Sequence, residues 1–123
     1  WRFQSKYDLE TARAMLKAHR YIYVVFMCHL AIEKALKGLY VSVVKEQPPK
    51  THNLVHLVKL CNLSLTEELN DFISVINNLS VSTRYPDDLS KAIQEFNYGL
   101  AEYCIRMTEK VIKCLWKDPK LNK

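Results

Sequence analysis

Apolar positions between residues 21 and 44 recur with the spacing of an α-helix, and the rest of the chain is arranged around this stretch. It contains no proline, and two apolar stripes run along it at i, i+3, i+4 and i+7 intervals. The first stripe comprises Val24, Val25, Cys28, Ile32, Ala35, Leu36, Leu39 and Val43, and the second comprises Ile22, Phe26 and Leu30. A helix that is apolar on two sides needs neighbours on both, so the pattern predicts the central helix of a bundle, roughly 36 Å long at ~1.5 Å per residue.

Amphipathic patterns before and after this stretch predict the remaining helices, over residues 3–18, 52–61, 65–81 and 89–116. The short link His19-Arg20 predicts that the first two helices form an antiparallel hairpin. Prolines at 48, 49 and 86 predict the main breaks between helices. The predicted fold class is all-α, an up-and-down helical bundle of about five helices, in which helix 2 and the C-terminal helix 5 are long.

The composition favours one helical domain. The chain has 123 residues, of which 49% are apolar, and it contains only 2 glycines and 4 prolines. We expect a single domain over residues 1–117 and a basic C-terminal tail at 118–123. The net charge of +5 is compatible with a phosphate-bearing partner, although many proteins without such a partner are equally basic.

The spacing of the cysteines and the length of the longest apolar run indicate the cellular compartment of the protein. Cys28, Cys61, Cys104 and Cys114 are widely spaced without a Cys-x-x-Cys pair, and three of them fall on apolar helical stripes, where free cysteine behaves as a small hydrophobe. The longest apolar run, at 21–28, is far shorter than the ~20 residues of a membrane span, and no N-terminal signal pattern is visible. We therefore expect a cytoplasmic protein without disulfides or a membrane partner.

The polar break in the central helix, Glu33-Lys34 with Lys37, is the first candidate site. Glu33 and Lys37 stand at i, i+4 in the order that favours an ion pair, which stabilises an exposed helix by only about 0.3 kcal/mol. One interpretation is a solvated stripe on an otherwise buried helix. The other is a pair of cations, Lys34 and Lys37, that a rigid helix presents to a phosphate group.

The connector Arg84-Tyr85-Pro86 is the second candidate site. Proline restricts the geometry of this elbow, an arginine there can bind phosphate or carboxylate through two hydrogen bonds, and Tyr85 can stack on a base. The alternative is that Arg84 caps the carboxyl end of the preceding helix and Tyr85 fills the end of the bundle.

The histidines His52 and His56 stand at i, i+4, a spacing that can hold a metal. No obvious third ligand lies nearby in the sequence, so we predict no metal site. Thr51 is the predicted N-cap of the third helix, and His52 beside it is interpreted as a capping or loop-anchoring residue that can also serve a site. The sequence contains neither a nucleophile elbow nor a glycine-rich phosphate loop, so nucleophilic or acid–base catalysis has little support. We also predict no cofactor.

Both glycines, Gly38 and Gly99, fall within predicted helices. A glycine there is less favourable than alanine by ~1 kcal/mol, so its presence needs a reason. We interpret each glycine as a point where two helices approach closely, and the alternative is that a ligand touches the bare backbone.

Four short motifs stand in order along the chain. They are Asp8-Leu9 with Ala12, Ala31-x-Glu33-Lys34-Ala35-Leu36-Lys37, Pro49-x-Thr51-His52-Asn53-Leu54, and Ser82-x-Arg84-Tyr85-Pro86-Asp87. In order and spacing they resemble the HEPN domain, a small helical bundle of prokaryotes that also occurs in some eukaryotic multidomain proteins. The resemblance covers essentially the whole chain.

The resemblance implies a helical bundle that is usually a homodimer and is linked to nucleotides or RNA. Many relatives are encoded beside a minimal nucleotidyltransferase and work with it as a partner, some of them as toxin–antitoxin pairs. By position, the resemblance assigns phosphate or nucleotide binding to Glu33, Lys34, Lys37, His52, Arg84 and Tyr85.

One motif of the RNA-cleaving relatives is missing from its expected place. Those relatives carry Arg-x4-6-His near the start of a late helix, whereas no histidine follows Arg84 or Arg106 here. The literal match from Arg13 to His19 lies at the end of helix 1, which is the wrong place in the fold. The chain therefore resembles the non-nuclease branch, and we predict no catalytic residue.

Three functions are compatible with these features. The first is a nucleotide-binding module that acts with a minimal nucleotidyltransferase. The second is a ribonuclease toxin that uses Arg84 with His52, or Arg13 with His19 across a dimer. The third is a non-catalytic dimeric scaffold, for which the second stripe of helix 2 and nearby tyrosines supply surplus apolar surface.

Overall fold

The computed structural model describes residues 1–117, apart from the side chains of Pro86 and Asp88, and all regular structure in that range is helical. Six α-helices and one 3₁₀ helix follow one another: α1 Arg2–Lys17, α2 Tyr21–Val44, α3 Leu54–Leu60, α4 Glu67–Leu79, the 3₁₀ helix Ser80–Thr83, α5 Pro86–Glu95 and α6 Tyr98–Lys117. The predicted all-α bundle is confirmed. None of these helices combines the length and apolarity that a membrane crossing needs. The predicted basic tail at 118–123 lies outside the described residues.

Helix α2 lies at the centre of the bundle, as its two apolar stripes predicted. Its bounds match the predicted stretch, and α1, α3, α4, α5 and α6 all pack against it. The link to α1 is short because His19 adopts a left-handed φ of 58°, which reverses the chain within a few residues. The side chains of α2 that are completely buried are Val24, Val25, Cys28, Ala31, Ile32, Leu36 and Leu39.

The C-terminal helix is divided in two, so the prediction of one helix over 89–116 is wrong. The backbone of Phe96 is extended, with φ −79° and ψ 125°, and the chain starts again as α6 at Tyr98. The side-chain Oδ1 of Asn97 accepts a hydrogen bond of 2.9 Å from the Leu100 backbone N–H, which caps the new helix. Phe96 is nevertheless buried, so the apolar pattern continues across the break.

The third helix begins later than predicted, and its N-cap is Asn53 rather than Thr51. The Asn53 Oδ1 accepts a 3.2 Å hydrogen bond from the His56 backbone N–H, whereas the Thr51 hydroxyl accepts one of 3.1 Å from the backbone N–H of Asn53. His52 therefore belongs to a loop that is ordered by hydrogen bonds on both sides, and not to the first turn of α3.

The two glycines differ in their surroundings. A Cβ added to Gly38 would lie 2.8 Å from the Cβ of Trp1, which confirms a close approach between α2 and the start of α1. A Cβ added to Gly99 would meet only the Asn97 Oδ1, at 3.5 Å. The interpretation of Gly99 as a point of close helix packing is therefore wrong.

None of the four cysteines forms a disulfide within residues 1–117, and Cys114 is the exposed one. Burial raises the pKa of Cys28, and it raises the pKa of Cys104 to about 12. Both thiols therefore stay protonated at neutral pH and pack as small apolar side chains.

Candidate functional site

Glu33 is the centre of a buried polar network in the middle of α2. The side-chain ammonium of Lys37 donates a 3.0 Å hydrogen bond to Oε2 of Glu33, and Nδ1 of His52 lies 2.9 Å from Oε1. Only 4% of Glu33 and 8% of Lys37 is exposed. The interpretation of this segment as a solvated stripe is therefore wrong.

The loop that carries His52 is fixed by an asparagine on α4. Oδ1 of Asn77 accepts a 2.9 Å hydrogen bond from the Leu54 backbone N–H, and Nδ2 of Asn77 donates one of 3.2 Å to Asn53 Oδ1. The His52 side chain is 65% exposed, although its Nδ1 contacts the buried Glu33. The opposite ring nitrogen, Nε2, consequently faces outward.

Arg84 follows the 3₁₀ helix and extends its side chain back to α2. Its backbone N–H donates a 3.1 Å hydrogen bond to the Val81 carbonyl, which closes the last 3₁₀ turn. Its guanidinium donates to Nδ1 of His29 at 3.3 Å and lies 5.4 Å from the centre of the Phe26 ring. The alternative in which Arg84 caps the end of α4 is therefore wrong.

Tyr85 lies in the short link between the 3₁₀ helix and α5. Its backbone is extended, with φ −121° and ψ 134°, and α5 begins at Pro86. This confirms that Pro86 keeps Tyr85 out of helical geometry. Tyr85 is 58% exposed, so the alternative in which it fills the end of the bundle is wrong.

His29 completes the network and was missed by the sequence analysis. Burial, with a smaller contribution from the nearby Arg84 guanidinium, lowers its pKa to about 4, although the Glu33 carboxylate acts in the opposite direction. The ring is therefore neutral at physiological pH, with Nδ1 accepting from Arg84 and the ring also hydrogen-bonded to the backbone of His52. Its position one turn before Glu33 was the signal in the sequence, but apolar residues surround it there.

These elements enclose a pocket of about 310 Å³, which we call the Arg84 pocket. Its lining comes from α2, the loop before α3, the end of α4, the 3₁₀ helix and the residues that follow it: His29, His52, Asn53, Asn77, Asn78, Ser80, Val81, Arg84 and Tyr85. Three residues that the sequence predicted as ligand-binding, namely His52, Arg84 and Tyr85, are thus brought to one cavity from distant parts of the chain.

The other predicted site residues, Glu33, Lys34 and Lys37, are not among the residues that line the Arg84 pocket. Lys37 pairs with Glu33, and the Lys34 ammonium lies 2.6 Å from Oδ2 of Asp8 on α1. Both lysines are therefore engaged in ion pairs inside the bundle. Glu33 reaches the pocket through its neighbours: Oε1 lies 2.9 Å from Nδ1 of His52 and 3.8 Å from Nδ1 of His29.

The charges around the Arg84 pocket favour an anionic ligand. Lys37 neutralises the Glu33 carboxylate, so the Arg84 guanidinium is left as the uncompensated charge in this network. No group of three or more side chains suited to a metal ion occurs in the part of the chain that the structure describes. His56, the second histidine of the i, i+4 pair, is exposed and does not line the pocket.

Comparisons with known proteins agree with this architecture. The HEPN domain model matches residues 1–118 of the chain. No curated protein matches it significantly. Among solved structures, the crystal structure of TT1696 from Thermus thermophilus is similar, with a TM-score of 0.79 and 24% sequence identity over 94% of this chain and 92% of that chain. At this level of identity the similarity shows a common fold.

Proposed function

Because the chain belongs to the HEPN domain family, we propose that its Arg84 pocket binds a nucleotide or a related phosphate-bearing ligand. The observation that carries the proposal is the Arg84 guanidinium, which His29 and Phe26 hold at the wall of a pocket. A guanidinium fixed in this way can offer two parallel N–H donors to phosphate oxygens without a large loss of side-chain entropy. The family link to nucleotides supports the choice of ligand.

Each residue that lines the pocket has a separate part in this proposal. Arg84 contacts the phosphate. Nδ1–H of His52 donates to Glu33, so Nε2 is left as an acceptor for a ligand hydroxyl group. Tyr85 presents an exposed ring on which a base can stack. The three contributions together suit a ligand with one anionic end and one flat end.

Glu33, Lys34 and Lys37 support the pocket from beneath within this proposal. Lys37 offsets the Glu33 carboxylate, which would otherwise repel a phosphate near His52. Lys34 ties α2 to α1 through Asp8 and so helps to keep the wall of the pocket rigid. Their contribution to phosphate binding is thus indirect.

Calorimetric titration of the protein with ATP, GTP and a short RNA at low salt tests this proposal. We expect saturable micromolar binding of at least one of them, weakened about tenfold or more in Arg84→Ala because a charge-assisted contact is lost. Arg106→Ala is the matched control, since Arg106 is an exposed arginine that lies over Tyr103 on α6. Unchanged binding in Arg84→Ala, or equal losses in both variants, would contradict the assignment.

The contact between Glu33 and His52 favours RNA cleavage as a second candidate function. A carboxylate that holds one nitrogen of a histidine leaves the other to act as a general base. His52 Nε2 would take the proton of a ribose 2′-hydroxyl, the 2′-oxygen would attack the adjacent phosphorus, and the 5′-oxygen would leave with a proton from water. Arg84 would stabilise the negative charge that develops on the phosphoryl oxygens.

Incubation of labelled RNA with the protein in the presence of a chelator tests this candidate. Cleavage to a 2′,3′-cyclic phosphate end that is lost in His52→Ala, but retained in His56→Ala, would support it. Intact RNA after long incubation would exclude RNA cleavage as a function of this protein. That result would agree with the absence of the Arg-x4-6-His motif from the late helix.

We also propose a homodimer that acts with a minimal nucleotidyltransferase, as the family resemblance implies. Exposed apolar side chains near the α1–α2 turn supply a surface for association, and they include Tyr23, Ile93 and Tyr98. Light scattering after size exclusion measures the mass of the particle, and Ile93→Arg should reduce it to that of one chain. A stable dimer that binds no ligand would instead favour the non-catalytic scaffold.

A further inference from the structure

A second pocket, of about 440 Å³, lies between α1 and α6 and shares no lining residue with the Arg84 pocket. Its walls carry four cationic side chains: Arg2 and Arg13 from α1, and Lys113 and Lys117 from α6. Arg2 and Arg13 are roughly 16 Å apart along their helix at ~1.5 Å per residue. The cations therefore form a row along the pocket rather than a single cluster.

Aromatic side chains lie at one end of this row. The Arg2 guanidinium lies 4.7 Å from the centre of the Trp116 ring. A smaller pocket of about 200 Å³ is also lined by Arg2 and Trp116, together with Trp1 and with Gly38 of α2. We call the two pockets together the α1–α6 groove. Both tryptophans of the chain lie along it.

The cations of the groove are largely available to a ligand. Its single lining carboxylate, Glu109, contacts Arg13 at 3.0 Å in an ion pair that is about half exposed and therefore easily exchanged. Among residues 1–117, no carboxylate pairs with Lys113 or Lys117. A polyanion can therefore bind here without first breaking a buried interaction.

We propose that the α1–α6 groove binds single-stranded nucleic acid. Arg13, Lys113 and Lys117 contact successive phosphates, and bases stack on the Arg2–Trp116 pair and on Trp1. A basic groove that follows the backbone, together with aromatic or guanidinium planes for the bases, is the combination by which proteins bind single strands without sequence preference. An acidic peptide would use the cations alone, so the tryptophans favour nucleic acid.

Intrinsic tryptophan fluorescence tests the proposal directly, because both fluorophores lie in the groove. Titration with a short oligouridylate at low salt should quench the emission saturably, and the affinity should fall as salt rises because counterions are released. The double variant Lys113→Glu/Lys117→Glu should weaken binding about tenfold or more. Lys59→Glu/Lys91→Glu is the matched control, since these exposed lysines lie on α3 and α5.

The variant Arg84→Ala distinguishes binding in the α1–α6 groove from binding in the Arg84 pocket. The proposal predicts that the oligouridylate binds this variant with wild-type affinity and quenches its emission as in the wild type. This holds whether or not the substitution weakens nucleotide binding. Absence of quenching would overturn the proposal, as would wild-type affinity in Lys113→Glu/Lys117→Glu with helical content retained. Equal quenching by an oligoglutamate of the same charge would also overturn it, because the bases would then contribute nothing.

Discussion

The Glu33 carboxylate and the His52 ring lie 2.9 Å apart, from Oε1 to Nδ1, although one residue belongs to the central helix and the other to a loop. The second carboxylate oxygen of Glu33 accepts from Lys37. One buried carboxylate therefore joins the interior of the bundle to the wall of the Arg84 pocket. Changes at Glu33 should consequently be visible in the stability of the fold as well as in ligand binding.

Replacing Glu33 with glutamine should lower the free energy of unfolding by about 3 kcal/mol, because the Lys37 ammonium would remain buried without a counter-charge. Urea denaturation measures the change. Glu68→Gln is the matched control, since Glu68 pairs with Lys110 at 3.3 Å with side chains 61% and 53% exposed. That exposed pair should contribute less than about 1 kcal/mol.

The double variant Glu33→Gln/Lys37→Met should recover most of the stability lost in Glu33→Gln. A methionine has no charge to leave unpaired and fills a volume similar to that of the lysine stem. Urea midpoints of the two variants, measured side by side, make the comparison. If the double variant is as unstable as the single one, the buried charge on Lys37 is not the cause of the loss.

Stability should also depend on pH through His29. Its pKa is about 4 in the folded protein, compared with a value of 6.5 for the free side chain, and the groups that face it are Glu33, Arg84 and His52. Between these values the unfolded chain binds a proton here and the folded chain does not. The stability that the neutral His29 contributes is therefore fully present above the pKa of the unfolded chain. It is lost, by up to about 3 kcal/mol, as the pH falls toward the pKa of the folded protein.

Urea denaturation at about pH 7 and about pH 5 measures this effect. His29→Gln should flatten the loss of stability on acidification, because glutamine does not titrate. His56→Gln should retain it, since His56 is exposed and lies outside the network. An equal acid sensitivity in wild type and His29→Gln would show that other groups cause it.

Substitution by alanine should change the stability of the protein in opposite directions at the two glycines. Gly38→Ala places a Cβ 2.8 Å from the Trp1 Cβ, so it should cost about 1–2 kcal/mol and shift the tryptophan emission. Gly99→Ala meets no such obstacle and should stabilise α6 by about 0.5–1 kcal/mol. Thermal denaturation compares the two, and a gain of stability in both would contradict the close packing at Gly38.

The sequence predicted α1 and α2 well because their apolar residues repeat with an uninterrupted helical period. The break after Glu95 was not visible for the same reason, since Phe96 remains buried and keeps the apolar pattern running. Asn97 was the missed signal. Its side chain caps α6, which is the usual role of asparagine at the start of a helix.

Sequence alone could not give the burial of the polar segment on α2. A glutamate and a lysine at i, i+4 have the same pattern whether they face water or the interior, and Glu33 and Lys37 face the interior here. The family motifs include His52 and Arg84, but these two residues line one pocket because His29 contacts the Arg84 side chain and Asn77 fixes the loop of His52. Neither His29 nor Asn77 belongs to a motif.

The most direct test of the central claim is the NMR spectrum of arginine Nε–H and histidine ring signals during a titration with ATP. Binding in the Arg84 pocket predicts that the Arg84 and His52 signals shift saturably with one dissociation constant, while the signal of Arg106 stays in place. Shifts confined to Arg2 and Arg13, in the α1–α6 groove, would contradict the claim, as would the absence of any saturable shift.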